Sequence, residues 1–125
     1  MSKQSVSLEE MIRRVKSRPD IHHAGMILCH NGIVRSTDRT GEKAVLKLQV
    51  RTHPEKLDEI RAWGEQQPGI VAVLIEAREG ELKVGDDLLF IVVAGDIREH
   101  VFPVMHEIIE RIKAQGVTKT EVHGA

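Results

Sequence analysis

The strongest hydrophobic pattern lies in the last third of the chain. Residues Leu88 to Ala94 form an uninterrupted apolar run rich in β-branched side chains, which is typical of a strand buried on both faces. Gly95-Asp96 ends the run with a turn signal. Apolar residues then recur at the spacing of an amphipathic helix, at Ile97, Val101, Val104, Ile108 and Ile112. The pattern predicts a central strand that leads through a short turn into a long helix.

Two residues bear on where that long helix begins and ends. Pro103 lacks a backbone N–H, so we expect the helix to begin near His100, which places the proline in its first turn. Gly116 is a helix stop signal, and Val117 to Val122 then reads as a last short strand.

The first half of the chain shows weaker patterns of the same kinds. Ser7 and Glu10 form a capping box for a helix that ends near Arg18, because Pro19 disfavours helix before it. A short strand is predicted for Gly25 to Cys29. His30-Asn31-Gly32 interrupts it, with a bulge or a close backbone approach at the glycine, and residues 33–35 resume it.

The middle of the chain continues with further strands and one helix. After a polar loop at 36–43, apolar and polar residues alternate from Ala44 to Arg51, with Leu46, Leu48 and Val50 on the apolar face. Pro54 opens a helix, and Ile70 to Ala77 is strongly β in character. Residues 78–85 read as polar turns. The order α-β-β-α-β-β-α-β predicts one α+β domain over residues 1–125, with a largely antiparallel sheet flanked by helices.

Composition excludes several classes of function. Of the 125 residues, aromatics make up only 2%, and the net charge is -1. These values argue against a base-stacking platform and against attraction to nucleic acid or to an anionic membrane. No apolar run approaches the length of a membrane span, and residues 1–5 lack the apolar core of a signal peptide. A single cysteine, Cys29, fits a reducing cytoplasm.

Three candidate sites are weaker than their structural alternatives. His22-His23 reads as a solvated loop rather than a metal site. His106 and Glu110 have i, i+4 spacing but no evident third ligand, and Glu107 with Arg111 reads as a helical ion pair. Cys29 lies in an apolar strand, so a structural thiol is favoured over a nucleophile.

Basic residues at the ends of elements are the remaining candidates for chemistry. They are Arg35, Arg98, Lys113 and Lys119. Each alone is typical of a surface charge, and Lys113 also suits a helix C-terminus. Together they would suit an anion, because guanidinium groups match phosphate bidentately.

Two segments carry a resemblance to a known family. Residues 25–35 (GMILCHNGIVR) and residues 78–86 (REGELKVGD) resemble motifs of the large, catalytic subunit of molybdopterin synthase, the MoaE family. Arg98, Lys113 and Lys119 fall near basic residues of that family. The resemblance covers nearly the whole chain, in order and with similar spacing.

The resemblance implies a fold and a function. The fold is an α/β-hammerhead that forms a homodimer, and a heterotetramer with a small partner. The family transfers sulfur from the thiocarboxylated C-terminal Gly-Gly tail of a small ubiquitin-like subunit to cyclic pyranopterin monophosphate, in molybdenum cofactor biosynthesis. No metal or organic cofactor is implied. On this template Lys113 and Lys119 are catalytic, and Arg35 and Arg98 bind the phosphorylated pterin.

The chain departs from the family pattern at several positions. Ile97 stands where the family has histidine, Val50-Arg51 stands where it has His-Tyr, and its tryptophan before the last lysine is absent. Placing Lys119 on that lysine requires a gap. These departures leave a second hypothesis open: a non-catalytic dimeric homologue that binds an anionic ligand or a partner protein.

Overall fold

A computed structural model describes residues 6–124 of the chain. The expectation for residues 1–5, that they lack a signal-peptide core, lies outside this range. A 3₁₀ turn at Ile21–His23 and a π-helical turn at Ile112–Gly116 accompany the regular elements. These are α1 (Leu8–Lys16), β1 (Met26–Ile33), β2 (Val45–Thr52), α2 (Pro54–Glu65), β3 (Ile70–Ala77), β4 (Gly80–Lys83), β5 (Asp87–Gly95), α3 (Arg98–Arg111) and β6 (Val117–His123).

The strands form two three-stranded sheets. The first has the order β1-β5-β3 and the second the order β4-β2-β6. All pairings are antiparallel, which confirms the predicted α+β class. Within residues 6–124, none of the helices has both the length and the apolar character needed to cross a membrane.

Strand β5 is the centre of the larger sheet, as its apolar run predicted. On one face Ile91 and Val93 pack with residues of α2 and α3, among them Val101 and Ile108. On the other face Phe90, Val92 and Ala94 pack with Met11 and Val15 of α1. The alternation of β5 side chains therefore joins two separate hydrophobic layers into one core.

The smaller sheet has a core of its own. It is built from Val34, Leu48, Val50 and Leu82, with Leu88 and Val117 packed against it. Leu88 belongs to β5 of the larger sheet, and Val117, the first residue of β6, also packs against the core of the larger sheet. The junction between the two sheets therefore brings the end of β1, the end of α3 and strand β6 close together.

Helices α1 and α2 follow their sequence signals. The Ser7 hydroxyl accepts a hydrogen bond from the Glu10 N–H at 3.1 Å, so the predicted cap is confirmed, and the helix ends two residues before Arg18. Pro54 begins α2, as expected for a proline at the first helical position.

The structure corrects three expectations about strands. β1 runs through His30-Asn31-Gly32 without the predicted interruption, since each of these residues pairs with β5, and the irregularity falls between Gly32 and Ile33. Strand β4 was missed, because only Leu82 of its four residues is buried. Leu46 is 59% exposed instead of inward-facing, because a shift in register between Val45 and Lys47 reverses the alternation there.

The expected start of the long helix was also wrong. α3 begins at Arg98 and contains Pro103 in its interior. The start is fixed by Asp96, whose Oδ1 accepts hydrogen bonds from the Ile97 N–H at 2.7 Å and from His100 Nδ1 at 2.8 Å. Pro103 and Glu99 are both exposed, so solvent can reach the carbonyl group that the proline leaves without a helical partner.

Asp96 makes a pH-dependent contribution to stability that can be measured. The His100 ring and the Ile97 N–H lower the pKa of the Asp96 carboxyl, so its stabilising effect is present above the unfolded pKa and is lost as pH falls through the folded pKa. Asp96→Ala is therefore expected to lower the urea midpoint at pH 7, with a difference from wild type that shrinks towards pH 3.

The control is Glu99→Ala, which removes an exposed acid from the same helical turn. Its difference from wild type is expected to be smaller at pH 7. An equal loss for the two variants, or a loss for Asp96→Ala that does not change with pH, would contradict the role of Asp96.

Candidate functional site

A cavity of about 550 Å³ opens at the junction of the two sheets. Its apolar wall includes Val34 and Leu48 from the core of the smaller sheet. Its polar groups come from the segment after β1 and from β6: Arg35, Thr37, Lys119, Thr120, Glu121 and His123. The cavity therefore combines an apolar wall with basic side chains at its mouth, which suits an anionic ligand with a flat organic part.

Arg35 follows the end of β1 and lies at this mouth. Its Nε donates a hydrogen bond to the Thr37 carbonyl oxygen at 3.1 Å. Within residues 6–124 the other nitrogens of its guanidinium make no hydrogen bond. Arg35 is thus oriented by its own loop and keeps donors available for an oxyanion.

Lys119 lies on β6 opposite Val50 of β2, and its surroundings disfavour the charged amine. Partial burial lowers the pKa of Lys119, and the nearby positive charge of Lys113 lowers it further. Arg39 acts in the same direction, and Glu121 opposes them. A larger fraction of Lys119 is therefore neutral at a given pH than for a lysine in water.

Lys113 lies on the π-helical turn that links α3 to β6. The turn is anchored by Ile112, which is buried, and by Gly116, whose carbonyl oxygen accepts the His53 N–H at 2.9 Å. A Cβ on Gly116 would lie 2.8 Å from Leu57, so the backbone fits closely against α2. This anchoring holds Lys113 where its charge reaches Lys119.

His30 lies close enough to Lys113 for their charges to interact, although the sequence pattern did not single it out. Met26 and Leu28 of β1 pack on the α3 layer, and His30 continues that face towards the end of α3. Burial lowers the pKa of His30, and the charge of Lys113 lowers it further. The sequence did contain a signal for His30, because it is a polar residue at a position of an apolar strand whose side chain faces the core.

Arg98 lies elsewhere. It is the first residue of α3, its side chain is 77% exposed, and its Nε is 3.8 Å from Glu99. Fifteen residues of helix separate it from Lys113, which corresponds to roughly 20 Å along the axis. Arg35 and Lys119 thus line one cavity, and Lys113 is close enough to Lys119 for their charges to interact. Arg98 does not join them within a single chain.

Comparison with known families decides the relationship of this chain. A family model described as MoaE protein matches residues 1–115, which is most of the chain. The chain belongs to the MoaE family. The matched range includes Arg35, Arg98 and Lys113, and Lys119 lies just beyond it.

One similar protein of the family comes from Haloferax volcanii and is described as a probable molybdopterin synthase. It is 30% identical to this chain over 112 residues, which cover 86% of this chain and 43% of that protein. The chain therefore spans less than half the length of this curated relative.

Two solved structures superpose on this chain and show the same fold. Molybdopterin synthase from Staphylococcus aureus superposes with a TM-score of 0.76 at 23% identity, over 99% of this chain and 94% of that chain. One chain of a complex of subunits 1 and 2 of molybdopterin-converting factor from Helicobacter pylori superposes with a TM-score of 0.70 at 15% identity, over 94% and 80% of the two chains.

The weaker candidates have structural explanations. His22 Nδ1 lies 3.2 Å from the Pro19 carbonyl oxygen in a 3₁₀ turn. Glu107 and Arg111 form the predicted ion pair at 2.9 Å. His106 and Glu110 lie 4.0 Å apart on an exposed face, and residues 6–124 supply no third ligand there. Burial raises the pKa of the Cys29 thiol, which supports its interpretation as a structural thiol.

The coupling between Lys113 and His30 predicts a measurable shift. Lys113→Ala removes the positive charge that disfavours the imidazolium, so the pKa of His30 is expected to rise towards the usual value for histidine. The NMR chemical shift of the His30 ring, followed from pH 4 to 8, measures this change.

Lys83→Ala serves as the control, because it removes a lysine from β4 that does not contribute to the lowered pKa of His30. Identical His30 titrations in the wild type and in Lys113→Ala would show that the charge of Lys113 does not act on the His30 ring.

Proposed function

We propose that this chain is the catalytic subunit of a molybdopterin synthase in molybdenum cofactor biosynthesis. The observation that carries the proposal is the convergence of Lys113 and Lys119 beside a cavity that also presents Arg35. Membership of the MoaE family and the description of the Haloferax relative support it. The compartment we propose is the cytoplasm.

The proposed reaction transfers sulfur from a partner protein to a phosphorylated pterin. The donor is the thiocarboxylated C-terminal Gly-Gly tail of a small ubiquitin-like subunit, and the acceptor is cyclic pyranopterin monophosphate. For each sulfur transferred, a carbon–sulfur bond replaces a carbon–oxygen bond on the pterin side chain, and the carbon–sulfur bond of the thiocarboxylate breaks. The thiocarboxylate carbon exchanges sulfur for oxygen, so the tail leaves as a carboxylate. The H. pylori complex of two converting-factor subunits supports a small-subunit partner.

The site residues divide into two roles. Arg35 binds the phosphate, since its free guanidinium donors match two phosphate oxygens. Lys119 moves the protons of the reaction, because its lowered pKa makes the neutral amine accessible. Lys113 keeps the pKa of Lys119 low and attracts the anionic tail to the same place.

Arg98 enters this scheme only through a second copy of the chain. Its distance from Lys113 along α3 places it outside the cavity of its own protomer. It lies at the exposed start of α3 with two apolar neighbours, Ile97 and Phe102, which are 49% and 52% exposed. We propose a homodimer in which Arg98 of one protomer completes the phosphate site of the other.

The competing proposal is a non-catalytic homologue that binds an anion or a partner protein. Ile97 favours it, because an exposed isoleucine stands next to Arg98 where the family has a proton-transferring histidine. His30 favours catalysis, because it supplies an imidazole beside Lys113 from a different strand.

A single-turnover assay tests the enzyme. The chain is mixed with a thiocarboxylated small subunit and cyclic pyranopterin monophosphate, and molybdopterin formation is followed. Lys119→Ala is expected to slow the reaction by about 10²–10⁴-fold, the range for removal of a group that moves protons. Lys113→Ala is also expected to slow it, because the pKa of Lys119 rises and the anionic tail is attracted less strongly.

Lys47→Ala is the matched control, because Lys47 is on the neighbouring strand β2 and is paired with Glu81 at 3.2 Å. Wild-type protein that binds the small subunit yet forms no product would support the non-catalytic homologue and overturn the enzyme.

Mixing two inactive variants tests the shared site. Arg98→Ala and Lys119→Ala are unfolded together and refolded, so that mixed dimers form. If Arg98 acts across the dimer, a mixed dimer has one intact site, and activity is expected to recover to about a quarter of wild type. Activity no higher than that of the separate variants would show that Arg98 and Lys119 of the same protomer form one site, and would overturn the shared site.

A further inference from the structure

A histidine and two carboxylates from distant parts of the sequence meet beside the cavity. Asp38 lies in the loop between β1 and β2, and Glu121 and His123 lie on β6. Their potential ligand atoms all lie within 4.8 Å of one another, and no other such group of three occurs in residues 6–124. This arrangement differs from the His106–Glu110 pair, which offers only two ligands on one helix.

The loop that carries Asp38 is held in place by its own hydrogen bonds. Asp38 Oδ1 accepts hydrogen bonds from the Thr40 hydroxyl at 2.7 Å and from the Glu42 N–H at 3.2 Å. These bonds favour the carboxylate form. Within the described part of the chain, Oδ2 accepts no hydrogen bond. Asp38 thus presents a charged oxygen whose position is fixed by the turn.

The two ligands on β6 share one face of the strand, because Glu121 and His123 are two residues apart. Backbone bonds connect this strand end to the same loop: the Val45 N–H donates to the Ser36 carbonyl at 2.9 Å, and the Gly124 N–H donates to the Ala44 carbonyl at 3.1 Å. The loop and the end of β6 are therefore joined through the start of β2 before any ligand binds.

The distances suit a small divalent ion after a modest adjustment. Ligand atoms about 2.1 Å from a tetrahedral ion lie about 3.4 Å apart. His123 Nε2 is 2.8 Å from Glu121 Oε1, and the widest separation in the group is within 4.8 Å. Glu121 and His123 are exposed, so rotation of their side chains can produce the required spacing.

The charges are also compatible with a cation despite the basic neighbours. Lys119 lies close enough to both Glu121 and Arg39 for its charge to interact with theirs. Lys119 and Arg39 oppose the added positive charge, and the two carboxylates offset it, so that the ion, the carboxylates and a neutral imidazole together carry no net charge. One nitrogen and two oxygen ligands favour zinc or a similar first-row ion over magnesium, which prefers oxygen alone.

We propose that Asp38, Glu121 and His123 bind a divalent transition-metal ion of the zinc class at the mouth of the cavity. The ion fastens loop 36–43 to β6 beside Lys119. Its role is structural, no step of sulfur transfer passes through it, and the proposal does not depend on the proposed function.

Calorimetric titration with Zn²⁺, in the presence of excess Mg²⁺ and without partner or pterin, tests the site. Wild-type protein is expected to bind one Zn²⁺ per chain. His123→Ala is expected to weaken binding by at least about tenfold, the lower end of the range for perturbing a metal site. His106→Ala, the matched control, is expected to bind as wild type does.

Asp38→Asn and Glu121→Gln provide independent variants that remove charge with little change in shape, and circular dichroism checks that each is folded. Both are expected to weaken Zn²⁺ binding. No binding by wild-type protein, or binding that His123→Ala and Glu121→Gln leave unchanged, would overturn the proposal.

Discussion

The packing of α3 against β5 is the interaction on which the rest of the structure depends. Ile91 and Val93 on the strand and Val101 and Ile108 on the helix are all fully buried, and truncating one such side chain typically costs about 2–5 kcal/mol. The same contact fixes the direction of α3 and therefore the position of the turn at its end. Arg111 stacks over the Trp63 ring at 3.9 Å and joins that end to α2. The turn that carries Lys113 thus follows directly on a helix that is packed on β5 and joined to α2.

The site concentrates positive charge where the fold can tolerate it. Lys113, Lys119 and Arg35 come from a turn, an outer strand and a loop, so none of them is placed in the core. Partial burial, and then repulsion by Lys113, disfavour the charged state of Lys119. An anion in the cavity would relieve this repulsion, so anion binding and protonation of Lys119 are linked by the same electrostatics.

The amount that could be predicted from the sequence depended on how strongly each element is buried. The apolar run of β5 and the helical spacing after it identified the centre of the fold, because burial on both faces leaves a clear pattern. Strand β4 escaped notice because one buried leucine makes no pattern. Pro103 misled the placement of α3, since Asp96 fixes the start of that helix by a contact that periodicity does not reveal.

The site shows the same contrast. Family motifs singled out Arg35, Lys113 and Lys119; Arg35 and Lys119 line one cavity, and the charge of Lys113 reaches Lys119. The position of His30 beside Lys113 and the Asp38–Glu121–His123 group both arise from contacts between residues that are distant in the sequence. Such contacts leave no local sequence pattern.

The π-helical turn at Ile112–Gly116 makes the site sensitive to insertions and deletions. A wide turn of this kind holds one more residue than an α-helical turn, and each residue of an α-helix rotates the side chain by about 100°. Loss of a single residue from this segment would therefore turn Lys113 away from Lys119 while leaving the hydrophobic core intact. In this family we expect the length of the segment to be more constrained in evolution than the identity of its exposed residues.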